Sequence, residues 1–288
     1  MIEILELQGG ASPRGRFDQA AKVLEAGGLI VLPDRRFALS AAETRMLDPS
    51  ISDDRAKNIS LDPATGRVSG TRLDDAGRHV LAGLIGRFAQ TADALLAELT
   101  PRYAPALQRR RTSFRPGAIA DRALSLRKDD RRLHVDAFPA NPVQGRRILR
   151  VFANVNPEGE PRVWNVGEDP FDAVARRFLG RLVVKEHAAT VKEALGLTKG
   201  RQSAYDQAML RLHDAAKLDH GYQADAPRRR LELPADSLWV VYTDSVMHAA
   251  LSGQHALEQT YLMPVEAMAE EALSPLRILE RMTGRALA

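Results

Sequence analysis

Cysteine is absent from all 288 residues. That excludes disulfides and thiolate metal ligands, so any metal must be held by His, Asp or Glu. It also fits a reducing compartment such as the cytoplasm. No stretch of about 18 apolar residues occurs, so no segment is expected to span a bilayer. The opening MIEILELQGG carries Glu3 and Glu6 and has no basic run before an apolar one, so it does not read as a secretory signal. Aromatic residues make up only 5%, with two Trp, which leaves little on which nucleic-acid bases could stack. Repeats, low-complexity tracts and a clear linker are missing as well, and a single domain over 1–288 is the simplest organisation.

What is present is an ordinary globular balance, 44% hydrophobic and 27% charged, with a formal net charge of +4. The basic residues are clustered: RRR at 109–111, RRLH at 131–134, GRRILR at 145–150 and RRR at 228–230. Such clusters suit an anionic partner, whether nucleic acid, phospholipid head groups or acidic sugars, or they are solvated surface.

Periodicity divides the chain. Residues 16–26 and 75–99 read as amphipathic helices, LIVLP (29–33) as a short strand, and 57–73 as a hairpin turning at Pro63 and Gly66. After residue 112 short strand-like runs take over: ALSLR (123–127), RLHVDAF (132–138), RILRVFANVN (147–156), RVWNVG (162–167), LWVVYTD (238–244) and LEQTYLM (257–263). The expected layout is a helical and hairpin support over 1–112, a β core over 113–167 and 230–264, a mostly helical insert over 168–229, and a C-terminal helix over 265–288. Helices followed by many short strands predict an α+β chain with a mainly β core, an antiparallel sandwich or barrel backed by helices.

Within RLHVDAF, His134 and Asp136 are two apart, so on a strand they share a face while Val135 takes the other. His248 follows the apolar strand 238–244 and its polar turn. His134, Asp136 and His248 would form the two-histidine, one-carboxylate set that leaves open positions on non-haem Fe(II). His79, His187, His213 and His220 read as surface or packing residues. In RILRVFANVN, one face reads Leu149, Val151, Ala153 and Val155. The other sets Arg150 and Asn154 beside Phe152, and ALSLR likewise turns Ser125 and Arg127 to one side. An inward arginine is suited to bind a carboxylate through its planar fork, unless that face is simply wet.

Taken in order, LHVDAF (133–138), GRRILRVFANVNPEGEPRVWNVGE (145–168) and DSVMHAALSGQHALEQTYLMP (244–264) resemble the Fe(II)/2-oxoglutarate-dependent oxygenases. More narrowly, they resemble the Kdo hydroxylases, which act on 3-deoxy-D-manno-oct-2-ulosonic acid (Kdo) of Gram-negative lipopolysaccharide. The resemblance implies a double-stranded β-helix, a cupin-like jelly-roll barrel backed by N- and C-terminal helices. It implies iron at His134, Asp136 and His248, with 2-oxoglutarate and dioxygen as cosubstrates and ascorbate as a stimulant. Many members of the superfamily carry an Arg about ten residues after the distal histidine. HALEQTYLMP has none, so Arg127 and Arg150, with Asn154 and Gln259 as neutral partners, are the expected cosubstrate residues. Arg131, Arg147, Arg228, Arg229 and Arg230 are the expected contacts to an anionic glycolipid, Kdo-lipid A. The implied reaction hydroxylates carbon 3 of Kdo, on the cytoplasmic face of the inner membrane, with peripheral membrane contact and no nucleic acid; a homo-oligomer is left open. An oxygenase acting on another acceptor (a protein or a metabolite) and a non-catalytic jelly-roll binding module are the competing expectations.

Overall fold

The computed structural model describes residues 2–7, 14–53, 56, 58–119, 125–181 and 201–288. Eleven strands form two sheets among these residues: β1 (Ile4–Glu6), β2 (Leu29–Leu32), β3 (Ile59–Leu61), β4 (Val68–Ser69), β5 (Gln108–Arg115), β6 (Arg147–Asn154), β7 (Arg162–Gly167), β8 (Arg228–Leu233), β9 (Leu238–Tyr242), β10 (His248–Ser252) and β11 (Ala256–Met263). The larger sheet runs β1-β2-β9-β6-β11-β5-β3-β4 and the smaller β10-β7-β8. A bridge between His134 and His248 adds a fourth segment to the smaller sheet. The two sheets face each other as a jelly-roll barrel, a double-stranded β-helix in an α+β chain.

Strict alternation along the central strands sorts side chains between two cores. Leu149, Val151 and Ala153 of β6, Val240 and Tyr242 of β9, and Ile30 and Leu32 of β2 face the helices. Phe152, Trp239, Val241, Leu29 and Val31 of the same strands face the barrel interior, where Trp164 and Val166 of β7 meet them. The helix Asp75–Leu99 covers the outer face through Leu81, Leu84, Ile85, Phe88, Leu95 and Leu96. It is long and apolar enough by composition to cross a membrane, but that apolar face is spent on the core.

Two expected strands differ. RLHVDAF is no extended strand: it pairs only at His134, because the backbone leaves the sheet to let Asp136 N–H donate to Thr243 O (2.7 Å). In ALSLR, residues 123 and 124 lie outside the described residues, and from Ser125 the chain turns, Lys128 N–H donating to Ser125 O (2.8 Å). Four strands, β1, β5, β8 and β10, were unread. β5 sits inside the large sheet and starts within the expected support region, and β8 closes the small sheet from what was expected to be the end of the insert. The insert does carry the helices Phe171–Phe178, Ala204–Leu218 and His220–Asp225, and the C-terminal region the helix Pro275–Thr283.

Candidate metal and cosubstrate centre

His134 and His248 exchange both backbone hydrogen bonds, His134 N–H to His248 O (3.1 Å) and His248 N–H to His134 O (2.9 Å). This pairing brings together two residues more than a hundred positions apart. Asp136 follows on the same side, and potential ligand atoms of His134, Asp136 and His248 all lie within 4.8 Å of one another. The two imidazole Nε2 atoms are 3.9 and 4.0 Å from the Asp136 carboxylate oxygens.

The ring tautomers are set from behind. His134 Nδ1 lies 2.7 Å from Arg132 O and His248 Nδ1 lies 2.9 Å from Val246 O. A carbonyl can only accept, so each Nδ1 carries the proton and each Nε2 presents its lone pair toward Asp136. Burial pushes both histidine pKa values down, and for His134 the neighbouring His248 adds to it, so both rings are held neutral. Burial alone would push Asp136 up. The Arg150 guanidinium overcomes it and holds the carboxyl well below the usual range. Asp136 Oδ2 is buried and receives no hydrogen bond among the described residues. Two neutral imidazoles and one ionised, under-satisfied carboxylate converging on one point fit a divalent cation with open positions.

The cluster lies in the wall of a cavity of about 1220 Å³. Around it runs a chain of alternating charges. Arg150 Nη1 is 3.2 Å from Asp136 Oδ2 and 3.0 Å from Glu258 Oε1, Arg115 Nη2 is 2.6 Å from Glu258 Oε2, and Arg115 Nη1 is 3.6 Å from Asp130. Arg162, only 2% exposed, lines the cavity too. Its Nη1 donates to Gly253 O at 3.4 Å. Gly253 has φ +102°, and a Cβ there would come within 2.9 Å of the Arg162 backbone, so the β10–β11 turn needs glycine to approach this closely. Trp164 stacks on the His248 ring with centroids 5.4 Å apart. From the insert helix, His213 sets its ring edge-on to His134 at 5.4 Å, and Lys217 donates to Arg127 O.

Of the residues expected to bind cosubstrate, only Arg150 is here as anticipated. Arg127 sits in the Ser125–Lys128 turn with its side chain 64% exposed and paired to Asp214, so it borders the rim rather than the floor. Asn154 Nδ2 donates to Glu160 O and Leu233 O, bracing the β6–β7 turn. Gln259 points to the helix-covered face and bonds Thr112 and Arg110 O. The residue ten after His248 is Glu258, and that one faces inward.

The expected acceptor contacts also move. Arg147 is fully buried against Asp244. Arg131 is tied to Asp129, Arg229 to Glu168 and Arg230 to Glu232, while Arg228 donates to Gln223 O and Ala226 O, and none of them lines the cavity. Sequence reading missed Arg115, Arg162, Trp164, His213 and Lys217. Period-2 counting along RVWNVG puts Arg162 and Trp164 on one face, and a spacing of four puts His213 and Lys217 on one helix face.

The comparisons with known proteins agree with one another. The family model described as 3-deoxy-D-manno-oct-2-ulosonic acid (Kdo) hydroxylase matches residues 11–286. No curated protein matches the chain. Among solved structures, the Kdo hydroxylase KdoO, a non-heme Fe(II) alpha-ketoglutarate-dependent dioxygenase, in complex with cobalt(II) is similar at 40% identity and TM-score 0.95, covering 99% of this chain and 97% of that one. The same enzyme with alpha-ketoglutarate and Fe(III) gives 39% and 0.94, and with succinate and Fe(III) 39% and 0.93, at the same coverage.

Proposed function

This chain belongs to the Kdo hydroxylase family and is an Fe(II)- and 2-oxoglutarate-dependent dioxygenase, and on that premise we propose that it hydroxylates carbon 3 of Kdo attached to lipid A. The observation that carries the reading is the His134, Asp136 and His248 cluster opening into a large cavity with three arginines beside it. When bound, iron would activate dioxygen, the oxidant, with 2-oxoglutarate as the co-reductant that is oxidised and decarboxylated to succinate and carbon dioxide, one oxygen atom going to succinate and the other to the acceptor. His134, Asp136 and His248 would hold the metal on one face. Arg150, Arg115 and Arg162 would hold the dicarboxylate, for Arg150 and Arg162 are buried, Arg115 is mostly covered, and each offers a charged donor. Trp164, stacked on His248, fixes that ring and shields the inner end from water. His213, edge-on to His134, and Lys217 line the same cavity from the insert helix.

Leucine at Arg150, Arg115 or Arg162 is expected to raise the KM for 2-oxoglutarate about ten- to hundredfold, the value of a buried charged hydrogen bond. Leucine at Arg127 should leave it unchanged. Succinate release at varied 2-oxoglutarate checks this, and a normal KM in the Arg150, Arg115 and Arg162 variants would place the cosubstrate elsewhere.

The acceptor reading is tested with purified protein, Fe(II), ascorbate and 2-oxoglutarate on Kdo-lipid A. One added oxygen, a mass gain of about 16, is expected with matched succinate. If a peptide or nucleotide gained the oxygen while Kdo-lipid A stayed unmodified, the substrate proposal would fall. A glycolipid acceptor also supports a site of action at the cytoplasmic face of the inner membrane. Exposed basic side chains at the cavity rim would favour such a surface by about 1 kcal/mol each.

A further inference from the structure

We propose that Arg110 and Arg111, adjacent at a bulge in β5, form a phosphate subsite for the acceptor, separate from the arginines beside the metal centre. This rests on the Kdo-glycolipid reading. Pairing between β11 and β5 runs Gln259 with Thr112, then Tyr261 with Arg109. Two residues of β5, Arg110 and Arg111, therefore oppose the single Thr260. In regular pairing, alternation would send one of the two to the helix-covered face. That face already holds Thr112, bonded to Gln259, while Arg109, which also borders the cavity, is neutralised by Asp93 of the helix Asp75–Leu99. The extra residue re-aims the strand, as bulges beside functional sites do, and both Arg110 and Arg111 line the cavity with Thr260. Gln259 Nε2 donates to Arg110 O at 3.1 Å and fixes the bulge from the other face.

The charge balance differs from that of the inner end. There Arg115 and Arg150 are matched by Glu258, Asp130 and Asp136. At the bulge Arg111 lies 3.5 Å from Asp62, with its side chain 55% exposed, and Arg110 has no acidic partner within ion-pair distance among the described residues. The pair thus keeps a net positive charge facing the cavity. Its position sets what it can read. Thr260 is flanked by the bulge on one side and by Arg150 on the other, so the bulge lies two strand spacings, about 10 Å, from the strand whose guanidinium meets Asp136. That offset suits an anionic group on the sugar adjoining the one hydroxylated. Two neighbouring guanidinium forks match a phosphomonoester, whose three oxygens accept several charged hydrogen bonds at once.

The test compares two acceptors in detergent, Kdo-lipid A with and without the phosphate on the sugar that carries Kdo. For the wild-type chain, removal of that phosphate should raise the acceptor KM about ten- to hundredfold. In Arg110→Gln/Arg111→Gln the KM for the phosphorylated acceptor should rise to the same level, with no further effect of the phosphate. The KM for 2-oxoglutarate, kcat and the thermal transition should hold. Gln at Arg228, Arg229 and Arg230 together serves as a control and should keep the phosphate preference. Equal wild-type KM values for both acceptors, or an equal loss on both in the variant, would overturn the subsite. A loss seen only with vesicle-presented acceptor, regardless of its phosphate, would mean the pair meets the bilayer and would overturn it too. Failure of the wild-type chain to hydroxylate either acceptor would instead sink the Kdo reading beneath it.

Discussion

Alanine at Asp136 is expected to abolish iron-dependent succinate formation while leaving the fold in place. The carboxylate supplies the only negative charge among the three clustered residues, so the variant leaves two neutral imidazoles facing the metal. Losing a group that merely orients a ligand costs about 10–100-fold in metal affinity, and losing the ligand itself should cost more. The structure gives no reason for unfolding. Asp136 Oδ2 receives no hydrogen bond among the described residues, its backbone N–H to Thr243 O bond survives the change, and Arg150 retains Glu258. His134→Ala and His248→Ala should behave alike. Anaerobic titration with Fe(II) and 2-oxoglutarate, watching the visible charge-transfer band, separates metal loss from misfolding when read beside a thermal melt. A full band and normal turnover in Asp136→Ala would show that the metal lies elsewhere.

That cluster was legible because its signal is local: a period of two through His134 and Asp136, and a histidine just beyond an apolar strand. The β6 alternation was legible for the same reason, since Leu149, Val151 and Ala153 read as one apolar face and are found on the helix-packed side. β5 was hidden by its own function. Three successive arginines in QRRRTSFR read as a cluster for an anionic partner or as solvated surface rather than as a strand, and the bulge at Arg110 and Arg111 breaks the alternation that marks one. Gln259 and Glu258 show the sensitivity of parity: one residue of register exchanges the helix-covered face for the cavity. Arg162 and His213 needed knowledge of which strands and helices close around the barrel, and that is tertiary information no single segment contains.

Arg147 shows the opposite error, a basic residue read as a surface contact that is a structural charge. Methionine at this position is expected to destabilise the protein by about 3–5 kcal/mol, as breaking a buried ion pair does. The side chain is 0% exposed. Its Nε and Nη2 reach the two Asp244 carboxylate oxygens at 2.8 and 3.0 Å, Nη2 also donates to Ser245 Oγ at 3.0 Å, and the guanidinium lies 3.9 Å from the Tyr242 ring centroid. Burial alone would push the Arg147 pKa down; Asp244 more than reverses this and keeps the charge. Removing the cation strands the Asp244 carboxylate, itself 1% exposed, in the interior. The thermal midpoint should fall by roughly 6–20 °C at the usual few degrees per kcal/mol. Arg147→Met/Asp244→Leu should recover most of the loss, because a buried pair replaced by apolar groups of similar volume is often near neutral. Acceptor KM should not change in either variant, since Arg147 lies outside the cavity wall. A raised acceptor KM with an unshifted midpoint would return Arg147 to the substrate site and refute the structural role.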